Sequence, residues 1–286
     1  MSGEALVMGA VAYDPKVVTI WDGFRAWLRD HGLAFDYVLY SNYERQVDEL
    51  VSGRIDAAWN SPLAWIRAQR IGAAAGTPVE AVTMRDSDRD LTSVVVARVG
   101  SGISAVSDLA GKVVATGAID SPQSTLIPLS YLRANGLLPG RDVDVRRFDV
   151  GVGLHGDHIG GERDAARALV AGEVDAACMI DGNHLAFGAE GTLPAGATAV
   201  IGQTDRFDHC NMTVRTDGPR HASARFNELL LGMSYGDAEV RPLLDLEGLK
   251  AWAEGRTSGY GLLDRAVSEI GFYDDEGRIG DGNYRP

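Results

Sequence analysis

Four of the six histidines in this sequence are of a type and placement that could bind a metal ion or transfer protons, and one of them precedes a cysteine. The candidate set is His155, His158, His184, His209 and Cys210. Imidazole and thiolate suit Zn, Cu, Fe or Ni, and histidine also titrates near neutral pH. The spacing His155-x-x-His158 with distant partners matches no standard zinc motif. Three roles stay open for the set: contacts to a ligand, a metal or catalytic set, or structural positions.

An enzyme built on this set would use those five residues as its catalytic candidates, and its metal candidates are the four histidines. Because the segment Cys210 to Arg215 reads as a strand, neighbouring side chains there should point to opposite faces. We therefore expect that His209 and Cys210 do not both face one cleft. No cofactor is predicted, although a bound zinc or other transition metal is left open.

The bulk composition excludes several classes of function. The chain has 286 residues and a formal net charge of -13, which disfavours nucleic acid and anionic membrane surfaces as partners. No window reaches the roughly 18 apolar residues of a membrane span, so direct membrane insertion is not expected. Two cysteines do not make a disulfide framework, and the sequence does not decide whether Cys178 and Cys210 are free thiols.

The N-terminus, MSGEALVMGAVAYD, lacks the basic region and the long apolar run of an export signal. As written, the sequence predicts a cytoplasmic protein. A chain whose leader had been removed would look the same and would be periplasmic or extracellular.

One structural unit occurs twice in the sequence, and it is among the secondary-structure elements that position these side chains. LVSGRIDAAWNSP begins at Leu50 and LVAGEVDAACMIDGNH begins at Leu169, and each gives a helix end, a glycine, a strand and a polar turn. Asp56 and Asp175 occupy matched positions and are expected to fix the strand entry by hydrogen bonding rather than to act as catalytic carboxylates. Strands alternate with helices along most of the chain, which indicates an α/β fold.

The two units predict two α/β lobes with a ligand cleft between them. We assign residues 1–95 plus 212–286 to a discontinuous first lobe and residues 96–211 to a second lobe. Ligands of open α/β sheets bind beyond the carboxyl ends of the strands, so both polar turns should face the cleft. The polar, glycine-rich tail from Asp274 to Pro286 is expected to be loosely held.

Three phrases carry a resemblance to a known family: DLAGKVVATG, SPQSTLIPLSYL and ARALVAGEVDAA. With the order of elements, they resemble the phosphonate/phosphate-type substrate-binding proteins of ABC transporters, which have the type II periplasmic-binding-protein fold. The resemblance covers most of residues 5–240. It implies a receptor for a small anion such as a phosphonate, phosphate ester or carboxylate, and a membrane permease as partner if the chain serves transport.

The resemblance also implies a set of ligand contacts. In that family a Ser/Thr-rich turn at a helix start holds the ligand's oxygen atoms, and the matching turn here is Ser121-Pro122-Gln123-Ser124-Thr125. Free N–H groups at a helix start favour an oxyanion, although a serine there could be only an N-cap. The predicted ligand-binding residues are Tyr13, Asn60, Ser61, Ser121, Ser124, Thr125, Asp181 and His184.

Three features depart from the family pattern: the missing export signal, Arg163-Asp164 in place of a His-Asp approach, and the histidine-rich loop Gly151–Gly161. They keep a second function open, a cytoplasmic enzyme on the same scaffold. Its reaction would be a lyase, decarboxylase, hydrolase or cofactor-biosynthesis step that uses the His/Cys set. A cytoplasmic ligand sensor is a third reading.

Overall fold

The computed structural model describes residues 5–286, which form two β-sheets with helices packed against them. The strands are β1 Leu6–Val11, β2 Phe35–Tyr40, β3 Ala57–Asn60, β4 Val79–Arg85, β5 Ser93–Arg98, β6 Val113–Thr116, β7 Asp144–Arg147, β8 Ala176–Ile180, β9 Thr198–Gln203, β10 Asn211–Arg215 and β11 Trp252–Glu254. The helices are α1 Lys16–Asp30, α2 Tyr43–Val51, α3 Pro62–Ala75, α4 Ile127–Ala134, α5 Gly160–Ala171, α6 Asp181–Ala189, α7 Arg220–Leu231, α8 Arg241–Glu247 and α9 Gly261–Ile270.

Each sheet forms the centre of one lobe. The first has the strand order β11-β4-β10-β3-β1-β2, with β1 parallel to β2 and β3 and with β10 antiparallel to β3 and β4. The second has the order β7-β6-β8-β5-β9, with β6 parallel to β7 and β8 and with β5 antiparallel to β8 and β9. The predicted two-lobed α/β fold is therefore confirmed.

The repeated unit is built in the same way in both lobes. Asp56 accepts a hydrogen bond from the backbone N–H of Val7 at 2.8 Å, and its own N–H donates to the Val7 carbonyl at 2.8 Å. Asp175 makes the same two bonds with Val113, both at 2.9 Å. The expectation that these carboxylates fix the strand entry is confirmed, because each one ties the start of a repeat strand to the strand beside it.

The chain passes between the sheets twice, through residues 86–92 and through residues 204–210, which we call the first and second crossings. Leu91 on the first crossing and Phe207 on the second form an isolated antiparallel bridge. Each donates its backbone N–H to the other's carbonyl, at 2.9 and 2.8 Å. The two crossings therefore run side by side as one bonded hinge.

The C-terminal segment packs against both lobes, so the expectation of a loosely held tail is wrong. Tyr284 is fully buried, and it belongs to an apolar cluster with Leu63 from α3 and Ile127 from α4. Tyr273 donates a hydrogen bond to the Glu44 carboxylate at 2.6 Å. Composition alone had predicted a mobile tail, but the two tyrosines give it apolar area to bury.

Candidate functional site

A pocket of about 220 Å³ lies between the lobes, where strand ends of both sheets meet. It is lined by Tyr13, Lys16, Trp59, Arg85, Gln123, Gly156, Asp157, Ile159, Ile180, Asn183, His209 and Cys210. A larger hollow of about 600 Å³ opens on the surface between α3 and α9. The smaller pocket is the better candidate, because it stands at the carboxyl ends of β3, β4 and β8, where ligands of open α/β sheets bind.

The first lobe contributes two cations and two aromatic rings to the pocket. The Lys16 ammonium lies 5.6 Å from the centre of the Tyr13 ring, and the Arg85 guanidinium lies 5.3 Å from the Trp59 ring. Both distances are in the range of cation–π attraction. These rings hold the two positive charges beside the pocket, where they favour an anionic group.

Arg85 is also held by buried carboxylates. It donates to both Asp88 oxygens, at 2.5 and 2.8 Å, and to Glu247 at 3.4 Å. Burial alone would raise the pKa of Asp88, but the Arg85 charge and its hydrogen bonds outweigh burial and hold this pKa at about 2. Burial raises the pKa of Glu247 to about 7. Arg85 is thus positioned by one firmly ionised carboxylate and by a second that titrates near neutral pH.

The second lobe contributes Gln123 and Asn183 to the pocket, and the buried Glu162 carboxylate bonds to Asn183 without lining the pocket itself. Glu162 is 3% exposed and accepts bonds from Asn183 at 2.8 Å and from the Ile180 N–H at 3.1 Å. Its other oxygen, and the side-chain oxygen of Gln123, have no hydrogen-bond partner within residues 5–286. Burial raises the pKa of Glu162 to about 7. Of the two unpartnered oxygens, only that of Gln123 belongs to a residue that lines the pocket, where it can accept a hydrogen bond from a ligand.

The Ser/Thr turn of the predicted oxyanion site uses its hydroxyls within the protein. Ser121 accepts from the Ser124 N–H at 3.3 Å and from the Ser124 hydroxyl at 2.7 Å, which makes it an N-cap. The Thr125 hydroxyl donates to the Ala118 carbonyl at 2.7 Å. All three hydroxyl side chains are buried, and Gln123 is the member of the turn that lines the pocket.

The glycine-rich segment Gly151–Gly161 covers this turn. A Cβ atom at Gly156 would lie 2.4 Å from the Ser121 hydroxyl and 2.6 Å from the Gln123 amide nitrogen, so only glycine fits there. Gln123 donates to the Gly156 carbonyl at 2.9 Å. The segment also brings Asp157 into the pocket, where burial raises the pKa of this carboxyl and Tyr43 donates a hydrogen bond to it. A carboxyl group thus stands beside the turn that was expected to hold an anion.

The predicted histidine set is dispersed in the structure. His155 is fully buried and contacts Glu44 and Ser61 rather than the pocket. His158 is exposed, and its Nδ1 accepts the Gly160 N–H at 3.2 Å. His184 is half-buried in α6 and does not line the pocket. Of these four histidines, only His209 lines the pocket, so the four do not form one metal site.

His209 and Cys210 both line the pocket, so the expectation that they face apart is wrong. Their Nδ1 and Sγ atoms are 3.1 Å apart. These residues lie on the second crossing, before β10 begins at Asn211, so the alternation of an extended strand does not apply to them. Burial raises the pKa of Cys210, and nearby carboxylates add to this effect, which keeps the thiol protonated.

The remaining predicted ligand residues surround the pocket at different depths. Tyr13 lines it directly. Asn60 is buried and bonded to Gln46 and Thr213, while Ser61 caps α3. Asp181 begins α6, accepts from the Thr92 hydroxyl at 2.9 Å and stays outside the pocket.

Comparison with known proteins places this architecture in one family. Residues 9–260 match the family described as the periplasmic substrate-binding protein of phosphonate ABC transporters. The chain belongs to this family. Family members are binding components for small anionic ligands and work with a membrane permease. Within residues 5–286, no helix combines the length and apolar character required to cross a membrane.

Solved structures show the same fold at low sequence identity. PhnD1 from Prochlorococcus marinus, solved in complex with methylphosphonate, is 14% identical with a TM-score of 0.69, over 94% of this chain and 98% of that one. A binding component of an ABC phosphonate transporter from Pseudomonas aeruginosa is 15% identical with a TM-score of 0.63, over 93% and 86%. The periplasmic aliphatic sulphonate binding protein SsuA from Escherichia coli is 18% identical with a TM-score of 0.61, over 95% and 92%.

Several residues that line the pocket were missing from the sequence-based prediction, namely Lys16, Trp59, Arg85, Gln123, Asp157 and Asn183. For Trp59 and Arg85 a usable signal existed, since Arg85 ends β4 and Trp59 lies one residue before the end of β3. Asn183 falls inside the polar turn that was predicted to face the cleft, but Asp181 and His184 were chosen from that turn instead.

Proposed function

We propose that the interlobe pocket binds a small solute with an oxyanion group, of the phosphonate, phosphate ester or carboxylate type, and that Lys16 and Arg85 attract the anion. The observation that carries this proposal is the placement of both cations at the pocket while the hydroxyls of the Ser/Thr turn bond within the protein. Charge-assisted hydrogen bonds are about twice as strong as neutral ones. The oxyanion therefore binds on the first-lobe side.

The opposite wall adds a second requirement. Gln123 lines the pocket and has a buried side-chain oxygen without a partner within residues 5–286, and a buried acceptor left unpaired is costly. A ligand with a hydroxyl or amino group at its far end satisfies this acceptor. Such a solute is preferred over methylphosphonate, which has no donor beyond its acid group.

The test is calorimetric titration of the purified chain with methylphosphonate, phosphate, an alkanesulfonate and a hydroxyalkyl- or aminoalkyl-phosphonate. Lys16→Ala should weaken binding of the best ligand by about tenfold or more, because a charged hydrogen bond contributes roughly 1.5–3 kcal/mol. Lys250→Ala is the matched control, since this lysine also lies over a tyrosine, 6.0 Å from the Tyr235 ring, but away from the pocket. Equal affinity of wild type and Lys16→Ala for every anion would contradict the proposal.

The cellular role follows from family membership and is a proposal for this chain. We infer that the protein works on the periplasmic side with an ABC permease, and that the enzyme alternative is disfavoured. Two measurements address this: cell fractionation of the native host, and chemical analysis of the ligand after prolonged incubation with the protein. Recovery of a converted ligand would overturn the receptor assignment.

A further inference from the structure

A cluster of three metal-binding residue types sits at the hinge side of the pocket. One donor atom each from Asp88, His209 and Cys210 lies within 4.8 Å of the other two, and all three residues are buried. His209 Nδ1 is 3.1 Å from Cys210 Sγ and 3.6 Å from Asp88 Oδ1. Donor atoms of a tetrahedral zinc site with bonds of 2.0–2.3 Å are separated by about 3.5 Å. These spacings are close to those of a site that is already assembled.

The backbone holds this cluster in place across the two crossings. The His209 N–H donates to the Asp88 carbonyl at 2.8 Å, which joins the second crossing to the first. The His209 carbonyl accepts the Tyr260 hydroxyl at 2.9 Å. Both peptide groups of His209 are thus fixed by hydrogen bonds, and its Nδ1 already lies within 3.6 Å of Cys210 Sγ and of Asp88 Oδ1.

We propose that Asp88, His209 and Cys210 bind a divalent transition-metal ion of the zinc type, with a fourth coordination position open to the pocket. A thiolate, an imidazole and a carboxylate together form a donor set that suits zinc. His209 and Cys210 line the pocket while Asp88 lies behind them, so the open position faces the solute space. The site does not depend on which anion the pocket takes.

The positive charge of Arg85 opposes the binding of a cation at this site. Two features reduce this opposition: the spare lone pairs of Asp88 and the loss of a proton from Cys210. Both Asp88 oxygens accept from Arg85, but each carboxylate oxygen has two lone pairs, so Asp88 can bind a metal and the guanidinium together. Binding releases the Cys210 thiol proton to solvent. The ion therefore adds one net positive charge, in a region where Asp157 also lines the pocket and Glu247 contacts Arg85.

An ordinary S–H···N hydrogen bond between Cys210 and His209 is the competing explanation, and spectroscopy separates the two. The full-length chain, purified without a histidine tag and kept reduced, is titrated with Co²⁺ alone as a spectroscopic substitute for zinc. Wild type should bind one equivalent and develop the near-ultraviolet thiolate-to-cobalt charge-transfer band, and excess Zn²⁺ should remove this band.

Two cysteine variants provide the matched comparison. Cys210→Ala should lose the charge-transfer band, whereas Cys178→Ala, which removes the buried cysteine of β8, should keep it. If Cys210→Ala fails to fold by circular dichroism, His209→Gln replaces it, and the expected result is a loss of most Co²⁺ affinity. A wild-type protein that develops no band, or a band that persists in the folded Cys210→Ala variant, would overturn the site.

Discussion

His155 and Glu44 form a buried pair that joins the two lobes, with Nε2 2.9 Å from Oε1. His155 lies in the glycine-rich segment of the second lobe and Glu44 lies in α2 of the first. The His155 ring stacks on Tyr43, with ring centres 4.8 Å apart, and its Nδ1 is 2.7 Å from the Ser61 hydroxyl. The histidine that had been a catalytic candidate therefore fastens one lobe to the other.

Glu44→Gln should destabilise the protein by about 1.5–3 kcal/mol, because it replaces a buried charged acceptor of hydrogen bonds with His155 and Tyr273. Burial by itself would raise the pKa of Glu44, but His155 and the hydrogen bonds of Tyr273 and Tyr284 outweigh burial and hold this pKa at about 2. Because the folded pKa is depressed, the stabilisation is present above pH 4.5 and is lost as the pH falls toward 2. Denaturant titrations between pH 7 and pH 3 measure both effects.

Glu173→Gln is the control for this variant, since Glu173 pairs with Arg146 at 3.1 Å on the surface. Exposed pairs contribute about 0–1 kcal/mol, so little change is expected. If the two substitutions change the free energy of unfolding equally, burial of the Glu44 pair does not increase its contribution to stability.

Glu162→Gln should make the protein more stable at pH 8 than wild type while leaving its stability near pH 5 almost unchanged. The folded pKa of Glu162 is about 7, above its ordinary value of 4.5. The folded state therefore holds the proton more tightly, and the associated stability is fully present below pH 4.5 and is lost as the pH rises through 7. Melting temperatures from pH 5 to pH 9 give the result, and identical pH profiles for the two proteins would refute the prediction.

Gly156→Ala should disrupt the cover over the Ser/Thr turn. Gly156 has a φ of 80°, and its new Cβ would lie 2.4 Å from the Ser121 hydroxyl. Gly140→Ala is the control, because Gly140 has a φ of 79° but open space around its Cβ position. The control variant should lose about 1 kcal/mol of stability from the left-handed backbone alone.

The steric clash should make the loss clearly larger at Gly156 and should also weaken solute binding. Chemical denaturation and calorimetry distinguish these outcomes. If the two alanine variants behave alike, the contact with Ser121 does not hold the segment in place.

Asp56→Ala and Asp175→Ala should cost similar amounts of stability, about 1–3 kcal/mol each, because each leaves a backbone N–H without its acceptor. Neither residue lines the pocket, so solute affinity should not change in the variants. A large loss of affinity in one folded variant would show that the repeat is not purely structural at that position.

Sequence patterns predicted the features that depend on local order along the chain. The repeated LV-x-G-x-[IV]-DAA phrase identified β3, β8 and the matched positions of Asp56 and Asp175, although the bonding partners of these carboxylates lie 49 and 62 residues away in the chain. The fold class followed from the alternation of strands and helices. The strand β11, Trp252–Glu254, lies between α8 and α9 and is too short to show an alternating pattern in the sequence.

The residues that line the pocket were harder to predict, because their positions depend on contacts between segments that are distant in the sequence. Ser124 and Thr125 belong to a turn suited to an oxyanion, but Ser121 and Ala118 take up their hydroxyls. His155 bonds to Glu44, 111 residues away in the chain. No periodicity or spacing in the sequence encodes such a pairing. The residue type of His155 therefore suggested a catalytic role, whereas in the structure this residue joins the two lobes.

The bonded crossings at Leu91 and Phe207 have a kinetic consequence. Two connecting segments that donate hydrogen bonds to each other cannot bend independently, so we expect the lobes to separate mainly along a single coordinate. The rate at which a solute enters the pocket is then limited by the rate of that one opening motion. Substitutions in residues 86–92 and 204–210 that do not touch the solute should therefore change its association rate even where its equilibrium affinity stays the same.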